Sequence, residues 1–118
     1  MVVVYCRDSA AAERISIALR HTPHQLVRTE VALLRLVADC GLCVVMAEAI
    51  GHAETRTTLQ LRKLIPAVPT ILITRLDAEN ARLLGSIMVD QVMWLDEVER
   101  HLAVAVSTAH LTCWRSRF

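Results

Sequence analysis

Apolar positions along this chain fall into short β-branched runs separated by longer stretches with helical spacing, and the alternation repeats five times. Val2-Val3-Val4-Tyr5-Cys6 is continuously apolar, the pattern of a parallel strand covered on both faces. Ser9 suits a helix N-cap, and the helical pattern to about His21 sets Ile15 and Leu19 four apart on one face. Thr22-Pro23 ends that helix, because the residue before proline is pushed out of the helical region. His24–Arg28 reads as a short, more polar second strand. Thr29 to Cys40 predicts a second helix with Val31, Leu34 and one of Val37 and Ala38 facing inward, stopped at Gly41. Leu42–Met46 is the clearest central strand, and residues 47–53 form a loop. A third helix is expected over Glu54–Ile65, ended by Pro66, and a fourth strand over Thr70–Thr74. Asp77 caps a fourth helix to about Met88. Asp90–Leu95 is the fifth strand, and Asp96 or Glu97 starts a last helix that continues past Thr108.

Five strand–helix units with short connections specify an α/β domain. Right-handed crossovers place helices on both faces of one doubly wound parallel sheet, a three-layer α/β/α arrangement. The most apolar strands, the first, third and fourth, belong in the centre, whereas the second, with Gln25 and Arg28, suits an edge. The expected order is therefore 2-1-3-4-5. The 118 residues, 54% of them hydrophobic, make one domain with a full core. We place it over residues 1–110, with 111–118 as a C-terminal tail or the start of a linker to an effector domain. Thirteen basic against 12 acidic side chains leave a net charge of +1, without the basic excess that nucleic-acid binders carry. No apolar stretch approaches a membrane span and no targeting segment is visible, so a cytoplasmic protein is expected.

Ligands of an open doubly wound sheet bind at the carboxyl ends of its strands. Arg7 and Asp8 follow the first strand here, Ala47 and Glu48 the third, Thr74 and Arg75 the fourth, and Leu95 the fifth. In element order, in spacing and in the stretches 42–47, 69–74 and 89–95, the sequence resembles the receiver domain of two-component response regulators. The resemblance covers about residues 2–110 and implies a flavodoxin-like fold and a role in signal transduction. Receivers hold Mg²⁺ on an acidic pair after the first strand and accept a phosphoryl group on an aspartate after the third. A Ser or Thr ends their fourth strand and a Lys their fifth. Carried over by position, the acidic pair becomes Arg7-Asp8, the acceptor becomes Ala47, Thr74 matches the hydroxyl, and the lysine falls on Leu95, or on Trp94 with a one-residue slip. Glu48 comes one residue too late to replace the acceptor, and the single lysine, Lys63, lies elsewhere in the chain. The resemblance is thus to a degenerate receiver, a pseudo-receiver, with no enzymatic activity, cofactor or metal. Bland readings stand beside it: Asp8 suits a helix entry, Thr74 suits a strand end whose hydroxyl satisfies local backbone, and Arg7 and Arg75 suit a solvated rim.

Two other patterns carry little chemistry. Cys40 and Cys43 match C-x-x-C, but where a helix ends and a strand begins, the reverse of a redox site, so buried thiols are expected. No two of the five histidines stand four apart as a ligand pair would. The last helix differs from the others: Leu102–Val106 is apolar all round, wider than packing on one side requires. It suggests a homodimer through the side formed by the fourth helix, fifth strand and fifth helix, with Ala103 and Val104 central and Arg82, Gln91, Glu99 and Arg100 as rim. The leading expectation is a non-phosphorylatable regulatory domain that dimerises or controls a C-terminal effector, DNA-binding in a transcription regulator. The alternative is a small-molecule sensor that binds an anionic ligand in the pocket bounded by Arg7, Asp8, Ala47, Glu48, Thr74 and Arg75.

Overall fold

The computed structural model describes residues 2–37, 41–47, 68–83 and 91–116. Within them, β1 (Val2–Tyr5), β2 (His24–Val27), β3 (Leu42–Ala47), β4 (Thr70–Thr74) and β5 (Gln91–Trp94) pair in parallel in the order β2-β1-β3-β4-β5. The expected fold class and strand order are the observed ones. Side chains alternate across the sheet and build two cores. Val2 and Val4 of β1, Leu42, Val44 and Met46 of β3, and Ile71 and Ile73 of β4 face one side; Val3, Tyr5, Cys43, Val45 and Leu72 face the other. Both faces are covered, which is why these strands read as unbroken apolar runs. Cys6 and Cys43 are buried as thiols, not joined in a disulfide, and lie in different cores.

Helices α1 (Ser9–Ala18) and α4 (Val98–Ser116) cover the first core with Ile15, Leu19, Val98, Leu102 and Val106. They are clasped at the surface, where Arg14 Nε donates to Glu99 Oε1 at 2.7 Å and its Nη2 to Oε2 at 3.1 Å, with Asp96 3.6 Å from the same guanidinium. The hydrogen bond from Arg14 holds the Glu99 carboxyl below its ordinary range, and the same bond raises the Arg14 pKa. Helix α2 (Glu30–Val37) packs on the opposite face, and α3 (Ala78–Leu83) follows β4.

Three local readings are corrected. The N-cap of α1 is Asp8, not Ser9: Asp8 is extended and its carboxylate accepts from the Ala11 amide. Helix α2 turns Leu33 into the second core, with Ala32 and Leu36 against it, whereas Val31 is 60% and Leu34 41% exposed. Both faces of α2 are apolar, and the face that meets β1 and β2 wins. The fifth strand stops at Trp94, because Leu95 already turns into a 3-10 segment (Leu95–Glu97) whose buried Leu95 packs with Val98 and Leu102. The last helix continues past Thr108 as expected, α4 running on to Ser116. Ala38, Cys40, Glu48, the helix expected over 54–65 and the far end of the helix expected to reach Met88 lie outside the described residues. No helix among the described residues is long and apolar enough to cross a membrane.

Candidate functional site

The carboxyl ends of β3, β4 and β5 lie level, since Ala47 is in register with Thr74, and Thr74 with Trp94. Beside them, the chain leaves β1 through Cys6, Arg7 and Asp8, and this segment is pinned from several directions. The Cys6 amide continues the ladder to the Val27 carbonyl at 3.2 Å. Cys6 Sγ–H donates to the Asp8 carbonyl at 3.3 Å. Arg28, at the end of β2, donates through Nη2 to the Arg7 carbonyl at 2.7 Å and to Ser9 Oγ at 3.0 Å. Asp8 has two partners on one oxygen: Oδ2 accepts from the Ala11 amide at 3.2 Å and from Arg75 Nη2 at 3.0 Å. A carboxylate at this N-cap satisfies an otherwise orphaned amide and is favoured by the helix dipole. The helix-entry role open for Asp8 is therefore real, and an ion pair to Arg75 is added to it.

Thr74 is fully buried, and its Oγ1 has no partner among the described residues. The backbone-satisfying role open for this hydroxyl is absent here. After it, the Arg75 carbonyl accepts from Nδ2 of buried Asn80 at 3.0 Å, while Asp77 Oδ1 accepts from the amides of Glu79 at 2.7 Å and Asn80 at 3.3 Å. Asp77 thus caps α3 as expected. Leu95, expected at the strand-end rim where receivers carry their lysine, belongs to the core instead, and half-buried Trp94 holds the strand-end position beside Thr74. Among the described residues no three His, Cys, Asp or Glu side chains gather as a metal site.

The residues proposed for a dimer face do not share one surface. Glu99 and Val104 are five positions apart, roughly 140° around a helix, and Glu99 is held against α1 by Arg14. Arg82 pairs with Glu79 on α3. Val104, 66% exposed, instead faces a groove of about 320 Å³ between β5 and α4, with Gln91, Glu97, His101 and Thr108. Arg100 and Ala103 are exposed on the outer surface of α4. The spacing 97, 101, 104, 108 is a helical stripe that the sequence displays but that reasoning from apolarity alone passed over. Arg28 was missed for another reason: its partner lies 21 positions away, with no local signal.

No protein family and no curated protein matches the chain. Solved structures do. A CheY-like response regulator receiver domain protein from Methanospirillum hungatei JF-1 superposes with TM-score 0.75 at 14% identity, over 98% of this chain and 96% of that one. The signal receiver domain of an HD domain-containing protein from Pseudomonas fluorescens Pf-5 gives 0.78 at 16%, over 98% and 90%. The chain has the receiver fold. A third receiver-type neighbour is the N-terminal domain of a response regulator/sensory box/GGDEF three-domain protein from Carboxydothermus hydrogenoformans, with TM-score 0.76 at 16% identity, over 99% of this chain and 98% of that domain. Two of these three neighbours come from proteins named for further domains. At these identities the likeness concerns the fold, and the site has to be argued from its own residues.

Proposed function

We propose that this chain is a receiver-like regulatory domain that accepts no phosphoryl group and works by protein contact. The observation that carries the reading is the residue at the end of β3, in register with Thr74: it is Ala47, whose methyl group has no oxygen to attack a phosphorus. Phosphoryl transfer depends on positioning and on charge stabilisation around a metal, and the neighbouring groups serve other ends. Asp8 caps α1 and pairs with Arg75, and Arg7 brings a cation where the family carries a metal-binding carboxylate. The anion-sensor reading gains no support from this arrangement. Any anion would compete with Asp8 for both the Arg75 guanidinium and an amide of the first turn of α1.

As a cytoplasmic signalling module, the domain would pass information to an effector linked to it, the arrangement suggested by neighbours named as parts of multi-domain proteins. A DNA-binding effector would make the whole protein a transcription regulator. Self-association is proposed for the β5–α4 face around Val104. The functional test is intact mass after incubation with acetyl phosphate and Mg²⁺. The expected spectrum shows the unmodified chain alone, and a species heavier by one phosphoryl group overturns the reading.

A further inference from the structure

The sheet order puts β3 between β1 and β4. Asp8 follows β1 and Arg75 follows β4, so a link between them spans two strand spacings, about 10 Å, and crosses the carboxyl end of β3. The Arg75 Nη2 to Asp8 Oδ2 contact of 3.0 Å closes that span. Each end is tied further into the fold. Asp8 holds the first turn of α1 through the Ala11 amide. The Arg75 carbonyl accepts from the side chain of buried Asn80, whose own amide donates to Asp77, so Arg75 is joined to the first turn of α3.

The ion pair is partly exposed, 47% at Arg75 and 34% at Asp8, where pairing is weak and falls with salt.

We propose that the Asp8–Arg75 pair is a strap across the end of β3 that couples α1 to α3, closed in the free domain and opened by competing charge. It rests on the contact-only reading above, since a strap in this place takes the room that a phosphorylated strand end needs. It gives such a domain a way to move α3 without covalent chemistry. Opening frees the Arg75 side chain and loosens the segment that leads through Asp77 and Asn80 into α3.

The test is amide hydrogen exchange by NMR, read at Asn80 Nδ2 and the Ala81 backbone amide, which donates to the Asp77 carbonyl. Asp8→Asn removes the charge but keeps the N-cap, since asparagine caps as well as aspartate. Arg75→Gln removes the other charge. Each variant is expected to speed exchange at both probes by about two- to fivefold, the range an exposed ion pair supplies, with no further increase in the double variant. Raising salt should speed exchange in the native chain and leave the variants unchanged. Unaltered exchange in both single variants, or effects that multiply in the double variant, overturn the strap. A chain that takes up phosphate overturns the contact-only reading instead, and the exchange experiment contains no phosphoryl donor.

Discussion

Thr74 illustrates how much a single side chain contributes here. A buried hydroxyl without a partner carries its desolvation cost uncompensated, and replacement by an apolar group of the same shape removes that cost. Thr74→Val keeps the β-branched outline that a central strand favours. We expect the variant to be as stable as the native chain or more so, by up to about 1–3 kcal/mol in urea unfolding. A loss of more than about 1 kcal/mol would mean that the hydroxyl has a partner in solution. The residues of this rim were largely legible in the sequence. Arg7, Asp8, Thr74 and Arg75 stand where strand ends and the rule for doubly wound sheets put them. The pairing of Asp8 with Arg75 was not legible, because 67 residues separate the two and only the sheet order brings them together. Leu95 was misplaced because a one-residue difference at a strand end turns a side chain from the rim into the core.

At the scale of elements, α2 shows why an apolar stripe underdetermines orientation. Residues 31 and 34 and residues 32, 33 and 36 both satisfy helical spacing, and only contact with β1 and β2 selects the second set. Leu33→Ala should therefore destabilise by about 2–5 kcal/mol, as buried leucine truncations do, while Val31→Ala stays within about 0.5 kcal/mol. Equal effects in denaturant titrations would reverse the orientation. The clasp between α1 and α4 makes a prediction in pH. Glu99 has a lowered pKa, owing first to the hydrogen bond from Arg14. A carboxyl depressed in the folded state contributes stability above its unfolded value, and that contribution disappears as pH falls through the folded value. Glu99→Gln should be less stable than the native chain at neutral pH, and the gap should close on acidification below the usual carboxylate value of about 4.3. Arg14 stays protonated throughout, its pKa being raised from an already alkaline value. A gap constant down to about pH 2 contradicts the clasp.

The whole molecule was the most legible scale. Continuous apolar runs identified β1, β3 and β4 as central, the polar β2 fell to an edge, and crossover handedness supplied the rest. Surfaces were harder to read than the core, since a helix apolar all round does not reveal which flank its neighbours leave open. Glu99 is committed to Arg14, so a dimer built on α4 has to use the flank that carries His101, Val104 and Thr108. Val104→Glu should dissociate it, because a symmetric contact desolvates the new charge twice, and circular dichroism should stay native, Val104 being exposed in the monomer. Light scattering at about 100 μM, enough to populate dimers of micromolar affinity, checks this: a native chain that is monomeric there refutes the dimer. The central claim, that the strand ends form no phosphoryl-accepting site, is tested most directly by backbone amide NMR spectra recorded with and without Mg²⁺ and beryllofluoride, which together mimic a phosphorylated aspartate. We predict superimposable spectra; shifts clustered at the carboxyl ends of β1, β3, β4 and β5 would contradict the account.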